Sequence, residues 1–251
     1  MIIYTCEDTF EAMMTCIYDA WASKEGHQNI RLQTEPLGNY ELFCDYRHVN
    51  VDAKKCQKVI RSIQKKISFS AYQMVFRCAM SAQPDKLDVI YRFLLLGFAY
   101  GSQVTDMLQS PHVMAIFESD RKVKNEAHYT REFIRFQALP NNVLVSHIEP
   151  KADILTLLAH AFEDRLPSEN WMIVDDNRRT ALIHPANADS YLTRLTIDEL
   201  EKLKQTESVA DPFIDLWKTF FKTIGIKERE NPACQRNHLP LWYRKHITEF
   251  I

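Results

Sequence analysis

At Glu132 the spacing of apolar residues changes from the helical period to strict alternation, and that break limits what the chain can fold into. Before it, apolar residues recur at helical spacing through FEAMMTCIYDAW and along the stripe Cys56, Val59, Ile60, Ile63 and Ile67. Two or three further helices are predicted between Ala71 and Tyr129, with Pro84 and Pro111 near helix starts. After it, EFIRFQAL and NVLVSHIEP alternate around Pro140-Asn141-Asn142, the pattern of an antiparallel hairpin. WMIVD and RRTALIH form a second hairpin turning at Asp176-Asn177, and the helical KADILTLLAHAFEDRL lies between the two. The expected class is α+β: an N-terminal mostly helical portion packed with an antiparallel sheet of two hairpins and C-terminal helices. No repeat, low-complexity tract or flexible linker interrupts it, so residues 1–251 are expected to form one unit. Its helix-rich part is expected over about 1–131 and its hairpin part over about 132–251.

Local signals refine this outline. MIIYTC reads as a short first strand, and Asp8 with Glu11 has the spacing of a capping box for the helix after it. Gly26 to Tyr46 reads as loop plus strand, and Asp52 caps the next helix. Thr196 and Glu199 form a second capping box, and Asp211 before Pro212 places an N-cap ahead of a proline at N1. The tail NPACQRNHLPLWYRKHITEF, with two prolines, should form short helical turns or irregular backbone.

Composition excludes several classes. Five glycines, with no G-x-G-x-x-G and no G-x-x-x-x-G-K-[ST], leave no phosphate-cradling loop of the common nucleotide-binding kinds. The N-terminus has no positive n-region and turns acidic by Glu7, unlike a signal peptide. The longest apolar run, FLLLGFAY, is too short to span a bilayer, so no membrane association and a cytoplasmic location are expected. The six cysteines are scattered without C-x-x-C or zinc-finger spacing, which points to idle or buried thiols rather than disulfides or a cluster.

Two groups of polar residues call for an account. KNEAHYTREFIRF brings Glu126, His128, Arg131 and Arg135 close in sequence, and alternation in the next strand adds His147 and Glu149 on one face. Arginine forks and histidine donors suit a phosphate or carboxylate clamp, whereas an Arg135–Glu149 ion pair would make the same residues an internal brace. No H-x-x-x-H or H-E-x-x-H spacing occurs, so no metal is expected. Ser146 lacks a nucleophile motif, and Asp175-Asp176 reads as turn chemistry. No catalytic residue is identified.

The second group is basic. From Ala53 to Pro84 there are seven basic residues and no acidic one, although the whole chain carries a formal charge of −2. Lys54, Lys58, Arg61 and Lys65 share one helix face, and the tail adds Arg244 and Lys245 beside Trp242 and Tyr243. Such surfaces contact phosphates non-specifically and stack bases, or equally dock a protein; a solvated face is the plain alternative.

EAHYTREFIRF, IEPKADILTLLAHAFEDRLPSENWMIVDDNR, PFIDLWKTFFKTI and LPLWYRKHITEF together resemble a bacterial family described as "probable DNA metabolism protein". The family pattern of E-x-H, F-x-R-F, E-P and H-x-F-x-x-R falls on Glu126, His128, Phe133, Arg135, Phe136, Glu149, Pro150, His160, Phe162 and Arg165. Glu132 departs from it, standing where the family commonly has a small residue. The resemblance implies a DNA modification or repair pathway shared with a radical-SAM protein, and a relation to domains fused ahead of a uracil-DNA-glycosylase-like domain. It implies no reaction. It makes the expected role an accessory one that binds nucleic acid, that partner or both; the alternative is an enzyme acting on a nucleotide or phosphorylated substrate through a His/Arg/Glu site. No cofactor is expected on this chain; S-adenosylmethionine and an iron–sulfur cluster would belong to the partner.

Overall fold

The computed structural model describes residues 1–207 and 212–250, and their packing groups the chain into two compact units, Met1–Lys124 and Asn125–Ile251. The class is α+β, with one sheet in each unit.

In the first unit β1 (Ile2–Cys6) is the middle strand of three, pairing in parallel with β2 (Ile30–Thr34) and β3 (Asp45–His48). Its residues from Ile3 to Cys6 are all buried, as a strand paired on both edges and covered by helices requires. Helix α1 (Phe10–Ala22) follows directly. Its N-cap is Thr9, whose hydroxyl accepts from Ala12 N at 3.3 Å, and not the expected Asp8. Asp8 instead lies 2.6 Å from Nζ of the buried Lys86, which needs a counter-charge more than the helix needs a second cap.

Helices α2 (Ala53–Lys66), α3 (Phe69–Met80), α4 (Lys86–Tyr100) and α5 (Pro111–Phe133) complete this half, and α5 runs on into the second unit. The expected Asp52 cap forms, its carboxylate accepting from Lys54 N at 2.8 Å and Lys55 N at 3.1 Å. Cys56, Val59, Ile63 and Ile67 are buried, with Ile60 packed beside them, as the helical stripe predicts. Apolar side chains of α4, including Leu87, Tyr91, Phe93 and Leu94, are fully buried in the core.

In the second unit the strands run in the order β4 (Gln137–Ala138), β5 (Leu144–Ile148), β6 (Trp171–Asp175), β7 (Thr180–His184) and β8 (Tyr191–Arg194). Both expected hairpins are present, as β4–β5 and β6–β7. They are joined by parallel pairing of β5 with β6, which α6 (Leu155–Arg165) makes possible as the crossover. The first hairpin is shorter than expected because α5 continues through Phe133 and takes Glu132 and Phe133 into the helix. Asn142 adopts φ 60° in its turn, a conformation Asn tolerates well. Trp171 is fully buried, stacked on His184 at 4.8 Å between ring centres and edge-on to Phe162.

Helices α7 (Ile197–Glu207), α8 (Pro212–Ile224) and α9 (Pro232–His238) follow, then two 3-10 turns at Leu241–His246 and Thr248–Phe250. Thr196 and Glu199 make the expected reciprocal box, with Glu199 Oε2 2.8 Å from Thr196 N. The expected Asp211 cap lies outside the described residues.

Candidate functional site

Parallel pairing of β5 with β6 sets Ile148 opposite Asp175, so the residues that follow, Glu149 and Asp176, leave the sheet side by side. Asp176 N donates to Ile148 O at 3.0 Å and fixes that exit. The carboxyl ends of parallel strands are a frequent ligand position, because two backbones diverge there and leave a crevice. The C-terminal turns fold back to the same place and add Lys245 and His246.

His147 Nδ1 lies 3.0 and 3.1 Å from the two Asp176 oxygens. Burial raises the Asp176 carboxyl, but the hydrogen bond and charge of His147 more than offset this, so its pKa lies below the usual carboxylate range. Lys245 Nζ donates to Glu149 Oε1, and His246 Nε2 is 3.5 Å from that same oxygen. The rings of His147 and His246 are near-parallel, 6.4 Å apart. Burial holds the His246 imidazole below its usual pKa, against the pull of Glu149 and Asp176, which favours the neutral ring.

These side chains floor a groove of about 440 Å³, within the range of small-molecule sites. Lys204 of α7, Lys218 of α8 and Arg135 also line it. Lys204 and Lys218 have no ion pair among the described residues. A separate cavity of about 40 Å³ beside the same histidines, lined by Thr130, Ile134 and Tyr243, is too small for a metabolite.

The remaining candidates take other positions. Glu126 is buried and accepts from Lys151 N at 2.7 Å and Ala152 N at 2.9 Å, so its carboxylate satisfies the loop after β5. His128 pairs on the surface with Glu132 at 3.1 Å, and Arg131 Nε donates to its own helix at Ala127 O. Arg135 binds Glu249 through two nitrogens, so the ion pair expected with Glu149 goes to a residue of the tail instead. The cause is that Arg135 lies outside the two-residue β4, and the tail carries Glu249 to it. His160 and Arg165 lie exposed on α6, His160 3.6 Å from Asp164 and Arg165 over the Phe162 ring. Of the sequence candidates, only His147, Glu149, Arg135 and Lys245 line the groove.

Lys54, Lys58, Arg61 and Lys65 are exposed on α2 in the first unit, as their spacing predicts. Arg244 is an internal brace, donating twice to Leu239 O at 3.2 Å.

Asp176, His246, Lys204 and Lys218 are the groove residues that sequence patterns passed over. Asp175 does form the turn, accepting from Asn177 N and Arg178 N, and this leaves its neighbour Asp176 to face His147. The alternation of β5 identified His147, but nothing in sequence brings a tail residue at 246 against it.

Residues 84–249 match the family described as "Domain of unknown function (DUF4130)". The chain belongs to this family. No curated protein matches it significantly. The DUF4130 match covers all of the groove residues and the second unit up to residue 249, and it begins after α2. The α2 basic face is therefore outside the matched DUF4130 region, whereas the groove is inside it. Among the described residues no helix is long and apolar enough to cross a membrane.

Proposed function

We propose that the chain is a cytoplasmic accessory protein of DNA metabolism whose second unit binds a phosphate-bearing ligand, nucleic acid being the first choice, in the groove over His147, Glu149 and Asp176. The observation that carries this reading is the convergence of Lys204, Lys218 and Lys245 from three separate elements on one groove of about 440 Å³. Lys245 already pairs with Glu149, whereas Lys204 and Lys218, with no ion pair among the described residues, remain available to draw an anion into the groove. The resemblance to DNA-metabolism proteins supports the choice of nucleic acid and of a radical-SAM enzyme as partner. The exposed lysines of α2 offer a second phosphate-contacting surface on the first unit.

A second reading is favoured by one contact: His147 held by Asp176 at 3.0 Å has the form of a base with its orienting carboxylate. On that reading the chain is an enzyme acting on a nucleotide or phosphorylated substrate.

Fluorescence anisotropy of labelled single-stranded and duplex DNA over a salt series tests the proposal. Binding should weaken with salt, and the Lys204→Glu/Lys218→Glu variant should lose affinity and reduce the salt slope by about 1 per contact removed. Absence of DNA binding at low salt, with and without the partner, overturns it. Turnover of a nucleotide that His147→Ala abolishes would establish the second reading.

A further inference from the structure

We propose that Glu149, Asp176 and His246 bind a divalent cation of the manganese, iron or zinc class. Each offers one ligand atom, and all three atoms lie within 4.8 Å of one another. Ligands about 2.0–2.2 Å from a shared ion sit roughly 3.0–3.5 Å apart at adjacent corners of an octahedron or tetrahedron, so small side-chain rotations complete the set. The 3.5 Å between His246 Nε2 and Glu149 Oε1 already falls at that spacing, and it is long for a hydrogen bond.

A second, independent observation points the same way. The Nε2 atom of His246 is shut off from solvent and makes no hydrogen bond among the described residues. A buried polar nitrogen left this way has given up water without gaining a partner, and coordination supplies one. The backbone also prepares the site: Glu149 and Asp176 leave adjacent parallel strands in register, and His147 holds the Asp176 carboxylate at 3.0 and 3.1 Å. Hydrogen bonding that orients a ligating carboxylate is the usual support of a metal site.

The donor set selects the ion. One imidazole and two carboxylates suit manganese, iron(II) or zinc better than calcium, which takes six to eight oxygens, and better than soft thiophilic metals. Three protein ligands leave positions open toward the groove, where the ion would polarise a phosphate oxygen. Only that last clause rests on the phosphate reading. Lys245 on Glu149 is the competing cation, and it is the most exposed of the four side chains.

The test is isothermal titration of the chelator-treated full chain with Mn²⁺ and with Zn²⁺, in buffer free of phosphate and nucleic acid, with the Mn²⁺ electron paramagnetic resonance signal as a second readout. One ion per chain is expected. Asp176→Asn and His246→Ala, each checked for fold by circular dichroism, should each weaken binding at least about tenfold, while His160→Ala leaves it unchanged. No binding of either ion by the wild-type chain overturns the proposal, as does binding that both folded variants keep. The DNA titration, repeated with chelator present, is read separately, so failure of the metal proposal and failure of the phosphate reading are told apart.

Discussion

Arg135 grips Glu249 with both arms of its guanidinium, Nε at 3.2 Å from Oε2 and Nη2 at 2.5 Å from Oε1. The pair ties the segment before β4 to the last turn of the chain, and Trp217 Nε1 donates to the same carboxylate at 3.1 Å. The tail that carries Lys245 and His246 is thus anchored beyond them, and the groove floor depends on the anchor.

Removing the arginine should therefore cost stability and function together. Arg135→Ala leaves the Glu249 carboxylate, 4% exposed, with only the indole as side-chain donor, and a loss of about 1–3 kcal/mol is expected in urea denaturation. Metal and DNA affinity should fall in parallel although Arg135 is not a proposed metal ligand. Unchanged stability would mean that the tail is held elsewhere.

The same pair sets a pH limit. Burial raises the Glu249 carboxyl, but hydrogen bonds from Arg135, its own backbone N–H and Trp217, together with the Arg135 charge, bring it below the usual range. A carboxyl with a depressed folded pKa contributes stability above its unfolded pKa and loses it as pH falls through the folded value. Unfolding followed from pH 6 to pH 2 should show this loss in the wild type, with a shallower acid dependence in Glu249→Gln.

Glu126 should behave as a structural carboxylate. Glu126→Gln keeps the size but turns an N–H₂ toward Lys151 N or Ala152 N, and a loss of about 1–3 kcal/mol is expected. Any folded fraction should bind Mn²⁺ and DNA as the wild type does. A selective loss of ligand affinity with intact stability would return Glu126 to the site.

Lys245→Ala should raise Mn²⁺ affinity, by up to about fivefold, since an exposed ion pair is worth roughly 0.2–1 kcal/mol and the lysine competes for Glu149. Its DNA affinity should fall. A Mn²⁺ affinity that does not rise would remove the lysine from the competing role.

Thiol labelling at neutral pH should find Cys234 first, the exposed cysteine, and buried Cys78 much later. Burial pushes the Cys78 thiol up to about 11, which suppresses the reactive thiolate. Mass spectrometry after a time course of iodoacetamide measures the order, and early labelling of Cys78 would indicate local opening of the first unit.

What the sequence determined by itself was local. Periodicity identified the helices, the two hairpins and the buried stripe of α2, and the side-chain chemistry of Asp52, Thr196 and Glu199 set their cap contacts, because those interactions reach only a few residues. Where two acceptors compete over such a short span, context decided: a buried Lys86 drew Asp8, and Thr9 became the cap. Tertiary structure alone decided the parallel pairings, since strand direction depends on how the intervening helix packs and not on the period within a strand. It also decided the groove. Glu149, Asp176 and His246 stand 27 and 70 positions apart, and only the register of β5 on β6 and the return of an anchored tail bring their ligand atoms within 4.8 Å. Charge spacing along a chain carries no record of contacts closed over such loops, because it is the burial of Trp171, Val174 and their neighbours that closes them.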